Sequence, residues 1–201
     1  MRPVRHPLLR MYRYLLSLAL VGAVVAASGY FFFRDYWEHR YDELISRHAR
    51  VFSVDDRLIW SLIYEETWFR AWMVGAADEV GLMQVTPAVA REWAKETGLE
   101  VFERAAAENV VTFLSDPERN IQVGCWYFEK LREKYRGRPA ETAMTLAAYN
   151  AGPSRVEEWT RDTDPRQLTE AEFVSRIGIA STRAYVSSIL ERYRADGSRK
   201  N

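Results

Sequence analysis

An uncharged, strongly apolar segment near the N-terminus sets the first constraint on this chain. Residues 14–33 are twenty consecutive residues without a charge, and most are leucine, valine, alanine or phenylalanine. As a helix this segment is roughly 30 Å long, the hydrocarbon thickness of a bilayer. Residues 1–13 carry four arginines and no acid, which places them in the cytoplasm under the positive-inside rule. We therefore expect a single-pass transmembrane signal anchor at 14–33, with the following chain on the periplasmic side of the inner (cytoplasmic) membrane.

A cleavable signal peptide is the alternative for the same segment. Small residues at 25–27 would suit cleavage near Ala27, after which the chain would be secreted. The apolar run continues, however, through the aromatic residues 30–33, which are typical of the far interface of a membrane helix. We favour the uncleaved anchor. The chain then divides into a basic cytoplasmic tip (1–13), the anchor (14–33), a connector (34–51), one folded domain (52–195) and a short tail (196–201).

Charge and composition exclude several classes of protein. The chain has 28 basic and 28 acidic residues, three histidines and one cysteine. A formal net charge of zero argues against a protein that binds nucleic acid through its phosphates. One cysteine and no close pair of histidines leave too few ligands for the usual zinc or iron–sulfur sites. We therefore expect no nucleic-acid partner, no metal and no cofactor, and a packing role for Cys125.

The exported part has helical patterns and helix-capping signals throughout. Asp55 precedes a run with apolar residues at helical spacing, and Asp116 precedes a proline and a second such run. Thr86 before a proline predicts a helix start, and Gly98 predicts the end of that helix. Further helices are expected at about 140–149, from Pro153, and at about 182–193. Because no useful strand alternation is present, we predict an all-α domain behind one transmembrane helix.

One acidic residue falls on an apolar helix face. Apolar side chains define that face in the first helix of the domain: Ile59, Leu62, Ile63 and Phe69. Glu66 lies near its centre, and Glu65 lies about 100° away around the helix. Burial of a carboxyl group raises its pKa and keeps it protonated near neutrality, as a general acid requires. A solvated charge or an ion-pair partner is the alternative for either glutamate.

Two polar segments at helix ends are further candidates for the same site. Residues 81–87 place a glycine and the Gln84 amide before a helix, and residues 149–153 end another helix with a tyrosine and an asparagine. With these motifs the sequence resembles the lytic transglycosylases that carry a soluble-lytic-transglycosylase catalytic domain of goose-lysozyme-like fold. In that family Gly-Leu-Met-Gln begins fifteen positions after the catalytic glutamate, which selects Glu66. Segments 116–121, 146–153 and 182–186 resemble further family motifs in the same order.

The resemblance implies cleavage of the β-1,4 bond between N-acetylmuramic acid and N-acetylglucosamine in peptidoglycan, with a 1,6-anhydro end on the product. Glu66 would be the single general acid and base. The implied substrate-binding residues are Met83, Gln84, Tyr149 and Asn150, with Tyr149 orienting either Glu66 or the substrate. Lesser roles fall to Thr67, Thr86, Ser181 and Tyr185. Core packing is an equal alternative for Met83. Peptidoglycan glycan strands, the membrane and other cell-envelope proteins are the expected partners.

Several residues depart from the family pattern. Thr67 and Gly75 each stand where the family has serine, the pair Asp78 and Glu79 replaces Gly-Ala, and Ser181 replaces a glutamate. Two alternatives to the transglycosylase therefore stay open. One is a lysozyme-type muramidase in which Asp78 or Glu79 positions a water, since ordinary glycoside hydrolysis uses a second carboxylate. The other is a catalytically impaired glycan-binding scaffold.

Overall fold

The computed structural model describes residues 7–98 and 109–197, and the regular structure in these ranges is almost entirely helical. Residue contacts divide the chain into a first unit, residues 1–40, and a second unit, residues 41–201. The described part of the chain contains no extended sheet, only isolated bridges that pair Val80 with Val74 and with Val85. The all-α class that the sequence predicts is therefore confirmed.

The described residues of the first unit form one helix, α1, Pro7–His39. Its apolar stretch, which begins near Arg10, is long and apolar enough to cross a membrane by length and composition. All side chains from residue 10 to residue 36 are exposed. Exposed apolar side chains in this number favour an apolar surrounding such as lipid, as expected of the anchor at 14–33. Of the basic tip at 1–13, residues 1–6 lie outside the described residues.

In the second unit the described residues form eight helices with both ends described, and residues 109–115 are helical as well. These eight helices are α2 (Asp42–Val51), α3 (Asp56–Thr67), α4 (Pro87–Thr97), α5 (Pro117–Tyr135), α6 (Glu141–Ala151), α7 (Pro153–Thr160), α8 (Glu170–Arg176) and α9 (Ala180–Gly197). The last helix begins two residues earlier than the sequence indicates and includes the first two residues of the tail. The rest of the tail, 198–201, lies outside the described residues.

The predicted caps begin and end the helices as expected. The side chain of Asp55 accepts a hydrogen bond from the Arg57 N–H at the start of α3. Thr86 and Asp116 do the same for α4 and α5, each followed by a proline in the first turn. Gly98 ends α4 in the left-handed conformation, with φ of 63°. These bonds satisfy N–H groups that have no partner inside a helix.

Two regions differ from the expectation. Residues 42–51, assigned by sequence to the connector, form α2, which packs on α3 and α5 because Ile45 and Ala49 are buried. Phe69 does not belong to the face of α3, because the helix ends at Thr67 and the next two residues have positive φ. Phe69 is nevertheless fully buried, with its ring centroid 5.2 Å from that of Trp60.

Helix α6 lies at the centre of the domain. Its residues 143–148 are all buried, and it contacts α5, α7, α8 and α9. A helix that is apolar on every side is stable only when other elements surround it. The C-terminal end of α6 therefore brings Tyr149 and Asn150 out of the core beside α9, which also packs along α3.

Candidate active site

Glu66 lies in the last turn of α3 and faces α9. The hydroxyl of Tyr185 donates a hydrogen bond of 2.6 Å to Glu66 Oε1. Tyr185 is itself buried, and the carboxyl group of Glu66 is partly buried. The neighbouring helices thus remove much of the water around this carboxyl and leave it one fixed hydrogen-bond donor.

Glu65 has a different surrounding, although it is the adjacent residue. Its Oε2 accepts hydrogen bonds from the Ser188 hydroxyl at 2.7 Å and from the Arg192 guanidinium at 3.1 Å. The same guanidinium lies over the ring of Tyr64, 4.1 Å from its centroid. Glu65 is therefore an ion-pair partner that joins α3 to α9.

The surroundings of Glu66 change its acidity. The pKa of Glu66 is raised to about 7; burial is the largest cause, the charges of Glu79 and Glu65 add to the rise, and the hydrogen bond from Tyr185 acts in the opposite direction. An ordinary glutamate is ionised at neutral pH. Glu66 instead holds a proton on a large fraction of molecules, as a general acid must.

A buried hydroxyl connects this helix end to the Gly-Leu-Met-Gln loop, residues 81–84. Thr67 Oγ1 donates a hydrogen bond of 3.0 Å to the Leu82 carbonyl, and Thr67 is only 1% exposed. The loop turns at Gly81, where φ is +76° and an added Cβ would stand 2.7 Å from the Leu114 carbonyl oxygen. Only glycine fits this turn without strain.

Asn120, at the start of α5, fixes the same loop from the other side. Its side-chain nitrogen donates to the carbonyls of Val80, at 2.7 Å, and of Leu114, at 2.9 Å. Its side-chain oxygen accepts from the Met83 N–H at 2.8 Å. Asn120 is fully buried, so these three bonds satisfy an amide that has no access to water. The loop is therefore held in one conformation beside Glu66.

Met83 and Gln84 contribute to the site in different ways. The Met83 side chain is fully buried and packs against Gly124, so the core-packing interpretation describes it. The Gln84 side chain is partly exposed, and its Nε2 donates to the Gly81 carbonyl at 2.9 Å and to the Met73 carbonyl at 3.4 Å. Because this nitrogen is committed to the loop, the Gln84 side-chain oxygen faces Gly75.

The end of α6 contributes Tyr149 and Asn150. The Tyr149 hydroxyl donates a hydrogen bond of 2.7 Å to the Met83 carbonyl. Asn150 Oδ1 accepts one of 2.7 Å from the Thr182 hydroxyl on α9. Tyr149 therefore fixes the loop, and the tyrosine that contacts Glu66 directly is Tyr185.

The remaining predicted residues lie at the edge of this arrangement. Thr86 caps α4 through a bond from the Val89 N–H, and Ser181 is exposed in the first turn of α9. Asn120 and Thr182 were not singled out from sequence as site residues. The available signal was their place in the two motif segments 116–121 and 182–186. Their hydrogen-bond partners are distant in sequence, so their roles depend on the fold.

The site residues come from α3, the 81–84 loop, α6 and α9. They present one carboxyl of raised pKa, one buried tyrosine and several neutral amide groups at a partly exposed surface. Neutral amides and aromatic rings suit an uncharged polar ligand, and a protonated carboxyl suits proton donation to a leaving oxygen.

The family described as Transglycosylase SLT domain matches residues 43–170. The soluble lytic murein transglycosylase of Escherichia coli K12 is 25% identical over 161 residues, which are 77% of this chain and 23% of that protein. The membrane-bound lytic murein transglycosylase C of Edwardsiella ictaluri is 30% identical over 124 residues, 59% of this chain and 33% of that protein. The chain thus spans a quarter to a third of the length of these relatives.

Solved structures give the same fold. The lytic transglycosylase Slt of Pseudomonas aeruginosa, solved as an inactive mutant, matches with a TM-score of 0.70 and 24% identity over 82% of this chain and 25% of that one. The 70-kDa soluble lytic transglycosylase of Escherichia coli matches with a TM-score of 0.68 and 24% identity over 86% of this chain and 26% of that one. The lysozyme-like fold expected from sequence is therefore confirmed, and the chain belongs to the Transglycosylase SLT domain family.

Proposed function

We propose that this protein is a peptidoglycan lytic transglycosylase that cleaves the β-1,4 bond between N-acetylmuramic acid and N-acetylglucosamine. The observation that carries the proposal is Glu66, a partly buried carboxyl with a pKa raised to about 7 and a fixed hydrogen bond from Tyr185. Family membership and the names of the relatives support the same reaction and substrate.

One carboxyl group accounts for the whole reaction. The carboxylic proton of Glu66 passes to the glycosidic oxygen, the bond from this oxygen to C1 of the muramoyl sugar breaks, and N-acetylglucosamine leaves with a hydroxyl group. The C6 hydroxyl of the same muramoyl sugar then attacks C1, and its proton returns to the Glu66 carboxylate. The product carries a 1,6-anhydro ring, no water is consumed, and Glu66 ends in its original protonation state.

The surrounding residues act on this sequence through position. Tyr185 fixes the carboxyl of Glu66 by donating to one of its oxygens. Tyr149 fixes the 81–84 loop through the Met83 carbonyl, so that the Gln84 amide stays beside the sugar. Asn150, tied to Thr182, presents its amide nitrogen at the end of α6. Holding reacting groups in position contributes a large part of enzymatic rate enhancement.

A muramidase is the second candidate, because a second carboxylate lies near Glu66. The charge of Glu79 is close enough to raise the pKa of Glu66, whereas Asp78 is exposed. A hydrolase needs such a group to activate water. Glu79 already accepts a hydrogen bond from the Ala77 N–H at 2.9 Å, which favours a fixed carboxylate over a base that handles a mobile water.

Digestion of peptidoglycan separates the candidates. The full chain in detergent is incubated with purified sacculi, and the soluble fragments are weighed by mass spectrometry. A transglycosylase yields fragments one water lighter than those of a hydrolase. Products of full hydrolytic mass would replace the proposal by the muramidase, and sacculi that bind the protein without releasing fragments would replace it by the scaffold.

We further propose that α1 anchors the protein in the inner membrane, with residues 1–13 in the cytoplasm and the domain in the periplasm among other cell-envelope proteins. The exposed apolar length of α1 and the membrane-bound relatives support this arrangement. Protease added to spheroplasts should degrade the domain, which in intact cells is shielded. A mature protein that begins near Ser28 and is found in the soluble periplasmic fraction would instead show cleavage and release.

A further inference from the structure

Two residues that depart from the family pattern, Gly75 and Glu79, lie next to each other in the structure. Gly75 is not among the residues with positive φ, so its backbone does not require glycine. A Cβ added to it would collide with Oε2 of Glu79 and would stand 2.8 Å from Oε1 of Gln84. Glycine at position 75 therefore leaves the space that the Glu79 carboxylate occupies.

Hydrogen bonds hold that carboxylate in place. The Ala77 N–H donates to Glu79 Oε2 at 2.9 Å, and the Gly75 N–H donates to the Glu79 carbonyl at 2.7 Å. The Gly81 N–H donates to the Met73 carbonyl at 2.8 Å, so residues 73–81 form a short hairpin that leads directly into the loop that carries Gln84. The carboxylate therefore lies next to the side-chain oxygen of Gln84, while Asp78 is exposed.

We propose that Glu79 is a second functional carboxylate of this site, a positioning residue that acts on Glu66 through space, and that Gly75 serves to make room for it. This inference rests on the proposed function, in which Glu66 must carry a proton before it can cleave the sugar bond. Glu79 does not touch the reacting atoms in this scheme. Its negative charge opposes the ionisation of Glu66 and so keeps the Glu66 carboxyl group protonated on more of the molecules near neutral pH.

No neighbouring positive charge offsets the effect of the Glu79 carboxylate on Glu66 among the groups that surround Glu66 in the described structure. Tyr185 reaches it from α9, Tyr149 lies on α6, Glu65 lies on α3, and Glu79 lies on the hairpin. The charge of Glu65 is offset by its ion pair with Arg192 on α9. Within residues 7–98 and 109–197, no lysine or arginine forms an ion pair with either Glu66 or Glu79. Removal of the Glu79 charge should therefore act on Glu66 directly.

The test is a titration of Glu66 in the full chain, in detergent and without substrate. Glutamate side chains are labelled with carbon-13, and the Glu66 signal is assigned by its loss in Glu66→Gln. Glu79→Gln keeps the shape of the side chain and an oxygen for the Ala77 N–H. We expect it to lower the midpoint of Glu66 by about half a pH unit or more, the size of one charge at partly screened short range.

Two further variants make the test specific. Gly75→Ala leaves the charge on the protein but displaces the carboxylate, so it should lower the midpoint in the same direction. The matched control Asp78→Asn removes the same charge from the exposed neighbour and should leave the midpoint in place. Asparagine also tolerates the positive φ of 62° at that position.

Activity supplies the second readout. If the proposal holds, the pH at which kcat/KM falls on the alkaline side moves down in Glu79→Gln. An unchanged midpoint in Glu79→Gln, or an equal shift in Asp78→Asn, overturns the proposal. A native protein that titrates as expected but releases no fragment from sacculi overturns the proposed function instead.

Discussion

The two adjacent glutamates at the end of α3 show how one residue step separates an ion-paired carboxylate from the proposed acid. Glu65 faces Arg192 and Ser188 and forms an ion pair. Glu66 lies about 100° further around the helix. It accepts a hydrogen bond from Tyr185 and is partly desolvated, and its pKa is raised to about 7, mainly by burial. The neighbour across the helix interface, and not the residue type, therefore decides the surroundings and the acidity of each carboxyl group.

The largest difference between the two glutamates should be in activity. Glu66→Gln removes the only proposed acid and base, so release of fragments from sacculi should fall by about a thousandfold or more. Glu65→Gln keeps the acid and should retain most of the rate. Fragment release by both variants is followed by liquid chromatography, with circular dichroism as the control that each is folded. The reverse ranking of the two variants would assign the chemistry to Glu65.

The second difference concerns stability, where the two variants should have opposite signs. The pKa of Glu66 is about 7 in the folded protein and 4.5 for the free side chain. Below pH 4.5 Glu66 is protonated in both the folded and the unfolded state, so its raised pKa does not reduce stability. As pH rises from 4.5 to 7, only the unfolded state loses this proton, and the folded state becomes less stable relative to it. Glu66→Gln cannot ionise, so at pH 8 it should be more stable than the native protein by about 3 kcal/mol, and at pH 4.5 by little.

Glu65→Gln should be less stable than the native protein at pH 8. It leaves the guanidinium of Arg192 without its carboxylate, at a cost of about 1 kcal/mol for a pair that is one-quarter exposed. Thermal unfolding of both variants at pH 4.5 and pH 8 measures the two effects together. A loss of stability in Glu66→Gln at pH 8 would contradict the raised pKa of Glu66.

Tyr185→Phe removes the hydroxyl group that donates a hydrogen bond to Glu66. The hydroxyl of Tyr185 lowers the pKa of Glu66 by donating to its carboxylate. Its removal should raise the pH at which kcat/KM falls, opposite in direction to Glu79→Gln, and should lower kcat about tenfold because the carboxyl is less well oriented. A pH profile of fragment release measures both. An unchanged profile would mean that the bond to Glu66 is only structural.

Much of this site could be predicted from local sequence. Helix periodicity predicts the partial burial of Glu66, the spacing of the family motif selects it as the proposed acid, and the caps Asp55 and Thr86 follow from rules that involve only neighbouring residues. Helix α2 was missed, because burial of Ile45 depends on α3 and α5.

Contacts between distant residues could not be read in the same way. The Tyr185 hydroxyl and the Glu66 carboxyl are 119 residues apart in the chain, and a hydrogen bond between them exists only once α3 and α9 are packed. For the same reason the partner of Tyr149 was not apparent. That Tyr149 orients Glu66 or the substrate stays a prediction, and its hydroxyl donates to the Met83 carbonyl, 66 residues away in the chain.

The smallest expected effect belongs to Tyr149→Phe, which tests how far loop position matters once Glu66 is intact. The variant removes one hydrogen bond to the Met83 carbonyl, while the ring keeps its contacts with Tyr127 and Phe128. The loss should be about 1 kcal/mol of stability and a several-fold decrease in kcat/KM. Because the bond fixes the loop and not the acid, the pH profile should keep its native midpoint. A shifted midpoint would instead place the Tyr149 hydroxyl among the groups that act on Glu66.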